Sequence, residues 1–248
     1  MSHQSHPEFL PPSIVNVPLW RFMDLERFTA LVSAKSLYFA RGDAFQGDFD
    51  AMLTEQIDKT IFETADSSIY DMWREAQVSD RLNAYISCWH ATDAEPERVW
   101  EKYGAHAAVA IKSTYWRLCR SFDAHLEPVY IGLVHYGAED LAASESLPNG
   151  FAFWMHKQRS CEPERELRAL IWRPRNFPVA ITGAKRRQSA EVAPAVGTDS
   201  SPTGVLVPVP LDELIETVVV PAAAPRHEVT HVEELLKGAG VAARVVSL

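Results

Sequence analysis

Short apolar segments with strand character recur along the chain at irregular intervals, and helical segments separate them. Apolar and β-branched runs predict strands at 19–22, 37–40, 83–89, 107–111, 129–136, 166–172, 205–210, 217–220 and 243–248. Helical spacing of apolar residues predicts helices at 25–34, 49–82, 95–103, 113–122, 211–216 and 227–237. The sequence contains neither a regular strand–helix–strand alternation nor a glycine-rich phosphate loop. We therefore expect an α+β protein, with a mixed, mostly antiparallel sheet against which helices pack.

The length of the chain, 248 residues, is enough for one sizeable core and lies near the length at which chains usually divide. Residues 1–17 are polar and rich in proline, so we predict a flexible N-terminal arm before a single domain at 18–248. Residues 183–204 are rich in Gly, Pro, Ser and Ala, and they bury too little apolar surface to offset their ordering entropy. We predict a disordered surface loop there, between two strands of one core.

The charge balance and the cysteines exclude several classes of protein. A formal net charge of −9 is unfavourable for a protein that tracks nucleic-acid phosphates, which needs a basic face. Three widely spaced cysteines without a CxxC pair indicate neither a disulfide framework nor a zinc site, and no metal is predicted. The N-terminus lacks a signal-peptide pattern, and no apolar run approaches the roughly 18 residues of a membrane span. These features predict a cytoplasmic protein without a membrane partner.

The densest group of charged residues is His156, Lys157, Arg159, Glu162, Glu164, Glu166 and Arg168. In a strand, Glu164, Glu166 and Arg168 would alternate and face one side together. Burial of such charges is costly unless they pair. One interpretation is a solvated edge strand with cross-strand ion pairs. The other is a carboxylate site with basic neighbours, in which one glutamate positions a hydroxyl or acts as a base.

Two arginines in the first part of the chain are further candidates. Arg21 and Asp24 lie at the end of the first predicted strand, and the simpler interpretation is a surface arginine beside a helix cap. Arg41 lies in a loop with Asp43 and Asp48, where ordinary turn chemistry is the alternative to a binding role.

The strand at 86–90 places small polar groups beside aromatic rings, a combination suited to the floor of a pocket. Its polar members are Ser87, Cys88 and His90, and Trp89 lies between the last two. Side chains two residues apart in a strand share one face, so Cys88 and His90 would lie together. No orienting acid is identifiable beside them, and the spacing alone does not establish a cysteine nucleophile.

Several motifs follow one another in a specific order. They are LWRFMDLERFTALVSAKSLYFARGDAF, then SCWH, an acidic helix ending in W-x-x-Y-G, and K-x-R-x-x-x-x-E-x-E-x-R. This order resembles a bacterial family catalogued as a domain of unknown function. Its members show an aromatic strand, a Phe-x-Asp loop, a Cys-Trp-His strand, a Met-Trp-x-x-Tyr helix and a terminal Glu-x-Glu-x-Arg strand. The resemblance extends over about residues 18–248, and it implies kinship without an activity.

Three elements carry a second resemblance: Arg21, Ser87, and Glu164 with Glu166, in that order along the chain. They are similar to the strand-borne elements of ADP-ribosyltransferases, although Ser-Cys-Trp stands here in place of the usual Ser-Thr-Ser. The resemblance implies NAD as a substrate, with Glu166 as the catalytic carboxylate, Glu164 as an acceptor-positioning group and Arg21 as a ligand of the ribose or phosphates. Cleavage of a glycosidic bond develops positive charge, which a fixed carboxylate stabilises.

The first functional hypothesis is therefore an NAD-using transferase or glycohydrolase-like enzyme, such as a toxin or defence effector. It requires Arg21, Ser87 and Glu166 to converge on one cleft. Tyr38 and Arg41 are further predicted contacts of the nucleotide. The sequence identifies neither a protein nor a nucleic acid as the acceptor.

Two alternatives come from other classes of protein. In a non-catalytic binding or interaction module, Glu164, Glu166 and Arg168 would form a structural ion-pair ladder with no pocket over it. A metal-dependent nuclease would instead recruit two or more carboxylates and a lysine. Its candidate residues are Asp43, Asp48, Glu164, Glu166 and Lys157.

Overall fold

The structure is a computed structural model that describes residues 3–45, 81–94, 100–101, 107–137, 151–173 and 203–248. The predicted helix at 49–82 and the predicted loop at 183–204 lie almost wholly outside the described residues. Within the described ranges, ten strands form one sheet and two short strands form a second. None of the helices in these ranges combines the length and the apolar character that a membrane crossing requires.

The main sheet is mixed and mostly antiparallel, as predicted, and the described chain is a single α+β domain. Its strands are β1 (His3–Gln4), β2 (Pro18–Met23), β3 (Ser36–Arg41), β4 (Ala84–Ala91), β5 (Val109–Thr114), β6 (Val129–Leu133), β9 (Glu166–Trp172), β10 (Gly204–Pro208), β11 (Thr217–Val220) and β12 (Arg244–Ser247). The short parallel pair is β7 (His135–Tyr136) and β8 (His156–Lys157). The order in the main sheet is β1-β6-β9-β4-β2-β5-β11-β12, with β3 on β4 and β10 on β3.

Five α-helices lie between or beside these strands. They are α1 (Leu25–Ala34), α2 (Tyr115–Arg120), α3 (Ala152–Met155), α4 (Leu211–Leu214) and α5 (Arg226–Ala239). Two 3-10 helices, Gly42–Phe45 and Arg159–Glu164, also lie in the described ranges, and residues 81–83 and 100–101 are helical as well.

The sheet forks at β4. One edge of β4 pairs with β9 along almost its full length. On the other edge, Tyr85 and Ile86 pair with β3, whereas His90 and Ala91 pair with β2. The strands β2 and β3 therefore diverge opposite residues 87–89. This fork is the place where side chains from three strands can meet.

Successive side chains of β4 and β9 point to opposite faces of the sheet, and each face contributes to a separate apolar cluster. The larger cluster includes Leu19, Phe28, Phe39, Trp89, Leu118 and Leu167, and it contains the buried faces of α1, α2 and α5. The smaller cluster, on the opposite face of β4 and β9, includes Phe9, Ile86, Trp154, Met155 and Leu170. Since both faces of these two strands are covered, a charged side chain on either face needs a partner.

The N-terminal segment differs from the flexible arm predicted for residues 1–17. From His3 onward it is part of the fold: β1 pairs with β6, and Leu133 donates a backbone hydrogen bond to the Leu10 carbonyl at 2.9 Å. Phe9 is only 3% exposed. A Cβ at Gly132 would lie 2.5 Å from the Phe9 Cα, so glycine permits this close approach. Burial of one aromatic ring outweighs the polar, proline-rich composition on which the prediction was based.

The helix α1 begins where the sequence predicts, because Asp24 caps it. The Asp24 carboxylate accepts a hydrogen bond from the Arg27 backbone N–H at 2.7 Å. The helix ends at Lys35, which has a left-handed conformation with φ 46°. Phe28, Leu31 and Val32 form its buried face. The cap and the apolar spacing thus fix both the start and the orientation of this helix.

Replacing Asp24 with alanine is expected to lower the free energy of unfolding by about 1 kcal/mol, because one backbone donor of the first turn loses its acceptor. Asp24→Asn is the matched control, since its amide oxygen can still cap the helix. Urea denaturation of the two variants and the wild type provides the comparison. An equal loss in both variants would show that the charge of Asp24, rather than the cap, stabilises the helix.

Candidate functional site

Glu166 and Arg168, both on β9, form a buried ion pair. Arg168 donates from Nε to Glu166 Oε1 at 2.8 Å and from Nη2 to Glu166 Oε2 at 3.0 Å. It also donates from Nη1 to the Trp154 carbonyl oxygen. Arg168 is 1% exposed and Glu166 is 8% exposed. This two-pronged contact leaves the carboxylate neutralised inside the protein.

Lys157 joins a second carboxylate to this pair. Its Nζ lies 2.7 Å from Glu164 Oε2 and 3.4 Å from Glu166 Oε2. Glu164 is not in the strand as predicted: it ends the 3-10 helix Arg159–Glu164, and Arg165 follows in a left-handed conformation with φ 43°. The predicted alternation on one strand face therefore holds for Glu166 and Arg168 alone. Glu164 reaches the group through Lys157.

The surroundings of Glu166 decide its protonation. Burial alone would raise the pKa of this carboxyl, but the contacts with Arg168, Cys88 and Lys157 outweigh burial and lower the pKa to about 2. Burial also raises the pKa of the Cys88 thiol well above its ordinary value, and the Glu166 charge acts in the same direction. Glu166 is thus a fixed anion at neutral pH. Cys88 is a thiol rather than a nucleophilic thiolate.

Groups from β4 and β7 complete this cluster. The Tyr136 hydroxyl accepts a hydrogen bond from the Glu166 backbone N–H at 2.7 Å, and burial raises the pKa of Tyr136 to about 12. The ring of His90 is hydrogen-bonded through Nδ1 to the Glu164 carbonyl oxygen. Two cations and two carboxylates therefore lie together with neutral hydrogen-bonding groups around them. Their charges balance, which is the usual condition for a buried ionic cluster.

Arg21 lies at the fork of the sheet. Its Nη1 donates to Ser87 Oγ at 2.5 Å, and its Nη2 donates to the Tyr38 carbonyl oxygen at 3.0 Å. The Arg21 Cζ lies 5.7 Å from the centroid of the Trp89 ring, and Trp89 donates from Nε1 to Ser87 Oγ at 3.2 Å. The guanidinium thus bridges β2, β3 and β4 where the strands diverge.

The partners of Arg21 among the described residues are all neutral: a hydroxyl, a carbonyl oxygen and an aromatic ring. Burial lowers the pKa of Arg21 to about 10, and the nearby charge of Arg27 acts in the same direction. The guanidinium is still charged at pH 7. It has five N–H donors, of which these contacts use two. Arg21 is partly exposed, so the remaining donors are a candidate site for an anion.

The register between β4 and β9 places the two groups on opposite faces of the sheet. Ser87 pairs with Ala169, whereas His90 pairs with Glu166. Directly paired residues share a face and neighbours along a strand do not, so Ser87 faces away from Glu166. Arg21 lies on the same face as Ser87, because the two side chains are hydrogen-bonded. The structure therefore brings Arg21 and Ser87 together, as predicted, but it does not bring Glu166 into the same cleft.

The other predicted contacts of a nucleotide lie apart. Tyr38 contributes its backbone carbonyl to Arg21, while its side chain is exposed and donates from the hydroxyl to Thr203 Oγ1 at 3.0 Å. Arg41 is held by Asp43, which accepts from Nε and Nη2 at 2.7 Å each. The Arg41 hydrogen bonds lower the pKa of Asp43. Of the nuclease candidates, Asp48 lies outside the described residues, and the Asp43 carboxylate is occupied by Arg41.

Sequence reasoning missed two contributors to these groups. Tyr136 and the Trp154 carbonyl come from segments far from β9 in the chain, and no local pattern connects them with Glu166. Trp89 is buried in the larger apolar cluster, and its contact with Arg21 depends on the pairing of β2 with β4. The SCWH motif did carry a usable signal. Alternation along it separates Ser87 and Trp89 from Cys88 and His90, which is the division that the structure shows.

Comparison of the sequence with models of protein families finds no match, and comparison with curated proteins finds no similar sequence. The two resemblances drawn from the motifs are therefore not tested by these comparisons. They stay predictions, and the functional argument depends on the geometry of Arg21 and Glu166.

Proposed function

We propose that the protein is a non-catalytic binding module that takes up a small phosphorylated nucleotide, with Arg21 as the group that binds the phosphate. One observation carries the proposal: the guanidinium of the half-buried Arg21 lies at the fork of the sheet with neutral partners, while the candidate acid is neutralised on the opposite face. This assignment combines a binding function with the nucleotide partner expected from the motifs.

The chemistry of Arg21 favours a phosphate. A guanidinium presents its N–H groups in a planar arrangement that matches two oxygens of a phosphate at once. Ser87 and Tyr38 hold the guanidinium from one side, so its orientation is fixed before a ligand arrives. Partial desolvation strengthens an interaction with an incoming anion, because less water has to be displaced. The guanidinium also lies over the Trp89 ring, where a cation–π interaction stabilises it.

The chemistry of Glu166 favours a structural role. A catalytic carboxylate needs an oxygen that can reach the reacting atoms. Both oxygens of Glu166 accept hydrogen bonds from Arg168, and Oε2 also contacts Lys157. This arrangement corresponds to the structural ion-pair ladder that the sequence suggested as an alternative to a catalytic site. The ion pairs of Glu166 are buried in the protein rather than exposed to solvent.

The binding proposal predicts that Arg21→Gln weakens the affinity for ADP-ribose by about 10- to 100-fold, the range expected for loss of a charge-assisted hydrogen bond. Arg21→Lys keeps the charge without the planar donors, so an intermediate loss is expected. Isothermal titration calorimetry with ADP-ribose, NAD and inorganic phosphate measures the effect. Arg244→Gln, at an exposed position on β12, is the control for a general loss of positive charge.

Equal affinities in the Arg21→Gln variant and the wild type would show that Arg21 does not bind the ligand. Absence of binding of all three ligands to the wild type would overturn the nucleotide proposal. A folded Arg21→Gln variant, verified by circular dichroism, is required for either conclusion.

An NAD-using enzyme is the second candidate, because the Arg21–Ser87 hydrogen bond joins two of the three elements that the ADP-ribosyltransferase resemblance requires. Release of nicotinamide from NAD by the wild-type protein distinguishes the two candidates. Turnover that disappears in a folded Glu166→Gln variant would overturn the non-catalytic proposal. Binding without turnover would support it.

A further inference from the structure

The N-terminal strap, defined here as residues 3–10, covers an aromatic groove. The Phe9 ring lies 5.3 Å from the centroids of both the Tyr130 and Phe151 rings. Phe151 in turn contacts the Trp172 ring at 4.6 Å. The regular pairing of the strap with the sheet is limited to the two residues of β1, and Leu10 adds one backbone hydrogen bond from Leu133. Because its regular pairing is so short, the side chains of the strap and its groove hold most of it in place.

Histidines lie at both ends of the strap and within it. His6, inside the strap, packs on the Phe151 ring with centroids 4.4 Å apart, and its Nδ1 accepts a hydrogen bond from the Glu8 backbone N–H at 3.2 Å. His3 packs edge-on against the Tyr115 ring, with centroids 6.3 Å apart. At the other end, the His135 ring is hydrogen-bonded through Nε2 to the Glu8 carbonyl oxygen at 2.9 Å. His156 stacks on His135 at 4.8 Å, and its Nδ1 lies 3.9 Å from Glu8 Oε2. These contacts connect the strap to α2, β7 and β8.

Protonation of His3 and of His156 is unfavourable while the strap is bound. Burial lowers the pKa of His3 and the pKa of His156, and for His156 the adjacent His135 acts in the same direction. The opposing charges come from Asp123, near His3, and from Glu8, near His156, and burial outweighs both. Release of the strap relieves the burial, so the released form takes up more protons.

We propose that the N-terminal strap is a pH-sensitive cover, which detaches at mildly acidic pH and exposes the aromatic groove under Phe9. The ordinary pKa of histidine, 6.5, is the upper limit of the pH range in which the strap begins to detach. Above it the strap is held, and below it the released form gains stability as the pH falls. Each linked proton changes the opening equilibrium by about tenfold per pH unit.

Hydrogen exchange of the full chain, followed by mass spectrometry and corrected for intrinsic rates, tests the proposal between pH 7.5 and pH 5.0. Peptides covering the strap are expected to lose protection by at least about tenfold across this range. Peptides covering β9 report on global unfolding and are expected to stay protected. Loss of protection in both segments together, or in neither, would overturn the proposal.

Variants separate the histidines from other causes of opening. In His3→Gln/His156→Gln, the loss of protection between the two pH values is expected to be smaller than in the wild type, since two of the linked protons are absent. Phe9→Ala is expected to open the strap at both pH values, which verifies that the assay detects release. His227→Gln, at an exposed position on α5, is the matched control and should keep the wild-type dependence. A double variant with the wild-type pH dependence would contradict the assignment.

Discussion

Replacing Arg168 with methionine is expected to lower the free energy of unfolding by about 3–5 kcal/mol, the usual cost of leaving a buried charge without its partner. Methionine fills a similar volume but cannot donate to Glu166, and Lys157 alone reaches only one of the two carboxylate oxygens. The Trp154 carbonyl would also lose its donor. Urea denaturation followed by tryptophan fluorescence measures the effect.

Glu164→Gln is the control for this prediction, because the Glu164 side chain is 42% exposed and its pair with Lys157 is partly solvated. Its loss is expected to cost less than about 1 kcal/mol. The double variant Glu166→Met/Arg168→Met should recover much of the stability lost in Arg168→Met, since a neutral pair replaces an unpaired charge. Equal destabilisation by Arg168→Met and Glu164→Gln would show that the cluster is hydrated rather than buried.

Stability is expected to fall by about 3 kcal/mol as the pH is lowered from 4.5 towards 2, owing to Glu166. The ordinary pKa of this carboxyl is 4.5, and in the folded protein it is about 2. The unfolded chain therefore binds the proton first as the pH falls, which favours unfolding. The contribution is fully present above pH 4.5 and is lost progressively as the pH approaches 2.

Urea midpoints measured across this range test the assignment to Glu166. In Glu166→Gln the acid-dependent part of the stability should be reduced relative to the wild type, and the variant should be less stable at neutral pH because Arg168 is left unpaired. Asp43→Asn is the comparison variant, since Arg41 also lowers the pKa of Asp43. The side chains of Arg41 and Asp43 are 26% and 32% exposed, so they are more accessible to solvent than Glu166 and Arg168. A wild-type pH dependence in Glu166→Gln would assign the acid sensitivity to other carboxyl groups.

Most strands and helices of the described chain could be predicted from local pattern. The strands at 166–172 and 217–220 have the bounds that the alternation predicts, and the helix at 25–34 agrees at both ends. Local pattern worked there because caps and apolar spacing are short-range signals. It did not work for the N-terminal arm, where one buried ring and a glycine more than 120 residues away decide the outcome.

The candidate site was less predictable than the fold. The sequence identified Arg21, Ser87 and Glu166 as polar residues on strands, and all three are on strands. Whether they meet depends on which residues pair across β4 and β9, and a shift of one residue would reverse the face of every side chain. Register is set by contacts between distant segments. The sequence alone therefore could not separate a shared cleft from two groups on opposite faces.

The fork of the sheet gives Arg21 a mechanical role beside its charge. The side chain starts on β2 and donates to a carbonyl of β3, so it links two strands that are not paired with each other in the sheet. Loss of this side chain would therefore remove a link between two strands as well as a positive charge.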